Sequence, residues 1–146
     1  MNGAKPYTTD KNGQVKVSTR GLAPKIFTAK ITFNGDAVYD KSAKDIKVTV
    51  KKATPKLTAK KKTFKRTVKT KKYTIVLKDN TGKAIKKAKV TIKIGKKTYA
   101  AKTNSKGKAS FKIKKLTKKG TYKATVTFKG NKYYNKVVKK VKIKIK

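Results

Sequence analysis

The chain contains no His, no Cys, no Trp and no Glu, and its only acids are five Asp among 146 residues. Without His or Cys there is no Ser-His-Asp or Cys-His catalytic set and no ordinary zinc or haem ligand set. Without Glu, and with so few Asp, a paired-carboxylate hydrolase is disfavoured. No disulfide framework is possible, so thiols give no redox compartment. No apolar run approaches the roughly 18 residues of a membrane-crossing helix. The first six residues, Met1-Asn2-Gly3-Ala4-Lys5-Pro6, hold no apolar core of a secretion signal. That leaves a cytosolic protein, or a piece of a longer secreted one.

What is present is lysine. The chain has 45 Lys plus Arg and a formal net charge of +40. Such a charge with 36% hydrophobic residues would suit a disordered polycation, but the apolar residues are phased. Val141-Lys142-Ile143-Lys144-Ile145-Lys146 alternates strictly, as do Ile46-Lys47-Val48-Thr49-Val50 and Val90-Thr91-Ile92-Lys93-Ile94. A period of two places apolar residues on one face of a strand and lysines on the other.

The chain repeats itself in part. Residues 27–50 align without a gap on residues 122–145, with Ala29/Ala124, Phe33/Phe128, Gly35/Gly130 and Tyr39/Tyr134 identical. Upstream, Asn12-Gly13-Gln14-Val15 falls on Lys106-Gly107-Lys108-Ala109, and Leu22 on Leu116. Residues 1–52 therefore read as the second half of a repeat, and residues 53–146 as a whole one, joined at Lys51-Lys52-Ala53-Thr54-Pro55.

In the whole unit, strands are expected at 55–60, 72–78, 88–94, 97–103, 108–113, 121–128 and 137–145. They are punctuated by Asp79-Asn80-Thr81-Gly82, Gly95-Lys96, Asn104-Ser105-Lys106-Gly107 and Lys129-Gly130-Asn131, turn sequences that supply positive φ. No helical period appears. About seven short strands predict an all-β fold, an immunoglobulin-like β-sandwich of two antiparallel sheets. The expected inward residues are Leu57, Tyr73, Ile75, Leu77, Val90, Ile92, Ile94, Ala109, Phe111, Ile113, Leu116, Tyr122, Ala124, Val126, Phe128, Val141, Ile143 and Ile145. In residues 1–52 the corresponding apolar side chains have no facing sheet, so that segment is expected to be the less stable.

Three segments carry a resemblance. Thr103-Asn104-Ser105-Lys106-Gly107-Lys108-Ala109-Ser110-Phe111, then Gly120-Thr121-Tyr122, then Phe128-Lys129-Gly130-Asn131-Lys132-Tyr133-Tyr134 resemble the bacterial-type Ig-like repeat. In its lysine-rich form the pattern is similar to the tandem repeats of adhesin-like cell-surface proteins of methanogenic archaea. It covers 53–146 and, in part, 7–50. The resemblance implies an extracellular stalk or adhesin module on a cell surface or cell wall. Its neighbours would be adjacent Ig-like repeats in a longer chain. The family has no catalytic residues and no cofactor to carry over.

Individual features read more plainly. Tyr122 suits a core aromatic better than a tyrosine corner, because its counterpart Phe27 has no hydroxyl. Tyr133-Tyr134 faces Val38-Tyr39 in the first copy, which suggests packing at a turn and not a stacking platform. Asp36, Asp40 and Asp45 correspond to Asn131, Asn135 and Lys140, so a calcium site is not expected. A Lys–Asn isopeptide bond needs a buried acid; the only acid of 53–146 is Asp79, in a turn.

The lysines themselves are the candidate contact residues: Lys114, Lys115, Lys139, Lys140, Lys142 and Lys144. Their expected partners are an anionic cell-wall polymer, a polysaccharide or a host or partner cell surface, with nonspecific polyanion binding at low salt. The alternative is an intracellular nonspecific nucleic-acid-binding protein. Against it, 43 of the basic residues are Lys and only Arg20 and Arg66 are Arg, whereas base readout favours the Arg fork. The charge is uneven: residues 1–52 hold 11 basic and 4 acidic residues, and residues 53–146 hold 34 and 1.

Overall fold

The computed structural model describes residues 5–19 and 21–146. Among them there are ten strands and no helix: β1 (Ile26–Phe33), β2 (Ser42–Thr49), β3 (Lys56–Thr58), β4 (Lys62–Phe64), β5 (Thr70–Lys78), β6 (Lys89–Ile94), β7 (Lys97–Lys102), β8 (Lys108–Lys114), β9 (Gly120–Phe128) and β10 (Val137–Ile145). The chain divides into two compact units, Met1–Val50 and Lys51–Lys146.

In the second unit, β4-β10-β9-β6-β7 form one sheet and β3-β5-β8 another. All pairings are antiparallel except β4 with β10. Alternation builds both layers. In β5, Tyr73, Ile75 and Leu77 are buried while Lys72 and Thr74 are exposed; β8 buries Ala109, Phe111 and Ile113, and β10 buries Val141, Ile143 and Ile145. Side chains from both sheets merge into one apolar core with Val90, Ile92, Ala124 and Val126. Thr, Val and Ile suit these strands because their branched Cβ packs on a pleated surface. Leu116 and Tyr122 pack on this core half-buried.

Where the alternation predicts one strand at 55–60, the chain makes the shorter β3 and then a second strand, β4, just beyond it. β3 pairs with β5 in one sheet, and β4 pairs in parallel with β10 in the other. Between them the chain crosses at Ala59-Lys60-Lys61, where the Tyr73 hydroxyl donates to the Lys60 carbonyl at 2.8 Å. Phe64 then enters the core. Burial pushes the Tyr73 hydroxyl pKa up.

Among the described residues, two polar side chains are buried. Lys71 occupies an inward position of β5, 1% exposed, with Nζ donating to the Val68 carbonyl at 2.6 Å. Its stem fills space in the sandwich and the ammonium finds an acceptor at the end of the sheet. Thr103 donates its hydroxyl to the Ile85 carbonyl at 2.7 Å and accepts from the Ala88 N–H at 2.8 Å. It ties the irregular 85–88 segment to the end of β7 and brings Ile85 and Ala88 into the core.

The first unit is a hairpin. β1 and β2 pair antiparallel, with Phe27 opposite Val48, Ala29 opposite Ile46 and Phe33 opposite Ser42. The β9–β10 hairpin has the same register ninety-five residues on: Tyr122 opposite Ile143, Ala124 opposite Val141 and Phe128 opposite Val137. The connecting turns match as well. Asp36 Oδ1 accepts from the Val38 and Tyr39 N–H groups, and Asn131 Oδ1 accepts from Tyr133 and Tyr134. The outcome differs in burial. Ala124 and Val126 are 0% exposed, whereas their counterparts are half-buried (Ala29) and 55% exposed (Ile31). No described residue of the first unit is fully buried.

A second turn recurs three times. Asp10, Asp79 and Asn104 each accept, through Oδ1, the backbone N–H groups two and four residues ahead. The residue three ahead is Gly13, Gly82 or Gly107, each at positive φ. At Gly107 the constraint is strict, because a Cβ there would lie 2.5 Å from the Leu77 carbonyl oxygen.

Candidate functional site

Outward strand positions make the charged surface, and register decides which lysines meet. Lys72 lies opposite Lys112, Lys56 opposite Lys78, Lys89 opposite Lys102 and Lys123 opposite Lys142. Side chains directly opposed across strands have Cβ atoms roughly 5 Å apart, close enough for like charges to repel. Four such pairs therefore lie on the two outer faces.

The faces meet at an open groove of about 520 Å³ between β7 and β8, the edge strands of the two sheets. Lys102, Lys108 and Lys112 line it with Asn104, Ser110, Tyr99, Ala100 and Ala101. Ala100, Ala101 and Ser110 are short, which leaves the space that the lysines border. Two hydrogen bonds stiffen the walls. The Tyr99 hydroxyl donates to the Lys114 carbonyl at 2.9 Å, joining the two edge strands. Thr74 Oγ1 and Ser110 Oγ lie 2.8 Å apart. The groove thus presents ammonium groups, hydroxyls and one aromatic ring to solvent.

Of the six lysines singled out from the sequence, five fall on two sheets and Lys115 lies just past β8. Lys140, Lys142 and Lys144 share the outer face of β10; Lys139 has the inward parity of Val141 but is exposed. Lys114 closes β8, opposite Thr70, and Lys115 follows with φ of 58°. The groove lysines Lys102, Lys108 and Lys112 were not among them. The Asn104-Ser105-Lys106-Gly107 turn joining β7 to β8 was the available signal, since it marks where two edge strands diverge.

The tyrosines depart from expectation at one point. The Tyr122 hydroxyl donates to the Lys118 carbonyl at 2.8 Å, four residues upstream. It is thus a tyrosine corner as well as a half-buried core aromatic. The Phe in the first copy was no guide, because a ring without a hydroxyl still fills the same apolar position. Tyr134 packs on the core, and Tyr133 is exposed with Lys132 Nζ 5.8 Å from its ring centre. Burial, together with the nearby Asp79 carboxylate, pushes the Tyr134 hydroxyl pKa up.

Among the acids, Asp36 sits in the hairpin turn, where the Tyr39 and then the Val38 N–H hold its carboxyl below the ordinary range. Asp45 lies on β2 opposite Lys30. Asp79 is pushed up by partial burial. Hydrogen bonds from the Thr81 hydroxyl and the Lys83 and Thr81 N–H groups, with the Lys83 charge, outweigh this and leave it lowered. Asp79 follows β5 at the end opposite Lys71. Among the described residues, no three ligating side chains gather as a metal site. No helix of the described residues is long and apolar enough to cross a membrane.

No protein-family model matches the chain, and no curated protein does. A solved structure from work on host cell surface retention of a 1.5-MDa bacterial ice-binding adhesin is similar at 14% identity with a TM-score of 0.38. The match covers 83% of this chain and 42% of that one. A likeness this distant carries no argument about fold or function.

Proposed function

We propose that the chain is a non-enzymatic structural module: an immunoglobulin-like repeat of an extracellular, cell-surface adhesin-like protein, whose lysine faces contact anionic polymers. Strand order supports the immunoglobulin-like reading. In its favour are an N-terminal strand split between sheets as β3 and β4, a β3-β5-β8 sheet beside a β10-β9-β6-β7 sheet, and the Tyr122 corner. Sequential repeats of this kind stack into extended stalks.

The observation that carries the contact role is the opposition of lysines across strands, from Lys72–Lys112 to Lys123–Lys142. Each pair repels in the free protein and is relieved when a polyanion lies along the face. The Lys102, Lys108 and Lys112 groove is the place where such a polymer meets both sheets.

The test is binding to dextran sulfate, neutral dextran and double-stranded DNA at physiological salt. Retained binding to dextran sulfate, weakened by Lys102→Gln, Lys108→Gln and Lys112→Gln together, is expected. Preference for DNA over dextran sulfate at equal charge would favour the nucleic-acid reading. Equal retention on neutral dextran would exclude an electrostatic contact.

A further inference from the structure

We propose that the groove between β7 and β8 takes an acidic polypeptide segment in extended form, which adds to β7 as a further strand. The proposal rests on the polyanion contact at this groove and names its ligand.

Register decides which backbone groups are open there. β7 is the last strand of its sheet. The Thr103 N–H donates to the Ala88 carbonyl at 2.9 Å, and pairing runs on from Lys102 opposite Lys89 to Lys97 opposite Ile94. Along an antiparallel ladder, hydrogen-bonded pairs alternate with non-bonded ones. Val90–Ala101 and Ile92–Tyr99 are therefore bonded pairs. Thr98, Ala100 and Lys102 turn their N–H and C=O groups away from β6, at the open edge.

β8 does the same across the gap. The Leu77 N–H donates to the Gly107 carbonyl at 2.8 Å, so by the β5–β8 register Ser110 and Lys112 direct their backbone groups away from β5. Lys108 and Lys114 have this parity too, but their outward groups are taken. Lys108 exchanges bonds with Asn104, its N–H donating to Oδ1 at 3.0 Å and its carbonyl accepting from the Asn104 N–H at 2.9 Å. The Lys114 carbonyl accepts from the Tyr99 hydroxyl. These contacts close the two ends of the groove. β7 thus offers three open positions and β8 two, which places the incoming strand on β7.

Charge and backbone chemistry select the occupant. Lys102 lies on the β7 wall, and Lys108 and Lys112 on the β8 wall. Carboxylates of either strand parity therefore find an ammonium group, and opposite charges across strands attract. Ala100, Ala101 and Ser110 are short enough for another backbone to approach. A second copy of this chain is a poor occupant. It carries 45 basic residues against 5 acids, and lysines on an edge discourage pairing of like edges. A polysaccharide meets the lysines but has no peptide N–H and C=O groups to match those of Thr98, Ala100 and Lys102, which recur about every 6.8 Å.

The experiment titrates the full chain at physiological salt with a short blocked peptide of alternating Glu and Thr, and in parallel with dextran sulfate of matched charge. Saturable one-to-one binding of the peptide is expected, with new hydrogen-exchange protection at the Ala100 and Lys102 N–H groups. Ala100→Pro removes one open donor without altering charge, and proline is tolerated where an edge N–H faces solvent. It is expected to weaken peptide binding by about fivefold or more, the effect of one lost hydrogen bond. Dextran sulfate binding should stay within about twofold, since the field is unchanged. Peptide binding without new protection at those two N–H groups overturns the proposal, whether or not Ala100→Pro folds. So does tighter binding of dextran sulfate than of the peptide, because the occupant is then a polysaccharide; the polyanion contact survives that result. Binding of neither ligand overturns that contact and the proposal together.

Discussion

The hydroxyl of Tyr122 donates to the carbonyl of Lys118 at 2.8 Å, closing the corner between β8 and β9. A single hydrogen bond of this kind contributes about 1 kcal/mol net. Tyr122→Phe keeps the ring in the core and removes only the bond. It is expected to lower the stability of the second unit by about that amount, read as a lower urea midpoint with an unchanged slope.

The lysine pairs predict a salt response. Repulsion between Lys72 and Lys112, and between the other opposed pairs, is screened as the Debye length falls from about 10 Å at 0.1 M salt to about 3 Å at 1 M. Stability is therefore expected to rise with NaCl concentration. Lys112→Glu converts one repulsive pair to an attractive one and should stabilise by roughly 0.2–1 kcal/mol at low salt, with the gain shrinking as salt is added. A thermal melt that falls with salt would contradict this origin.

Two carboxyls set an acid limit. Asp79 and Asp36 are both held below their ordinary pKa by hydrogen bonds that the folded turns supply. Their contribution is present above the unfolded value of about 3.9 and is lost as pH falls through the lower folded values. Asp79→Asn reproduces the Asn104 turn, whose amide oxygen accepts the same two N–H groups. It should leave neutral-pH stability nearly unchanged and remove that site's share of the loss in acid, as chemical denaturation at pH 7 and pH 3 will show.

Backbone approach separates two glycines. A Cβ at Gly107 meets the Leu77 oxygen at 2.5 Å, while one at Gly95 meets nothing within 4 Å. Gly95→Ala is expected to destabilise by about 1 kcal/mol through its positive φ alone. Gly107→Ala adds a steric conflict with the backbone and should exceed about 2 kcal/mol.

The two units should differ in local stability. The second buries a continuous core, whereas Ile31, Phe33 and Ile46 in the first are 55%, 45% and 38% exposed. Limited proteolysis is expected to cut residues 7–50 first and leave a fragment near 51–146 intact. Digestion of both at one rate would refute the difference.

Much of this was legible in the lysine alternation. Where a strand is buried on one face only, as β5, β8 and β10 are, the period of two identifies both the strand and its inward residues. β4 was hidden because Lys62-Thr63-Phe64 sits in a lysine run, and its pairing with β10 depends on a chain crossover with no local pattern. Ile85 and Ala88 were missed for a related reason: they enter the core from a bend, with Lys87 at φ of 54°, where alternation gives no direction. Lys71 lay outside the strand expected at 72–78, and its charge gave no sign of the inward position it takes in β5. The β7–β8 groove arises from two strands diverging into separate sheets, a long-range event. Which lysines oppose one another required the register, which the repeat alone did not provide.

The parallel pairing of β4 with β10 also sets how the second unit bears load. Tension applied at Lys51 and Lys146 pulls the parallel strands β4 and β10 in opposite directions along a shared axis. Their hydrogen bonds are sheared together instead of being unzipped one at a time. Tension between the two ends of the unit thus falls on the three residue pairs that join β4 to β10.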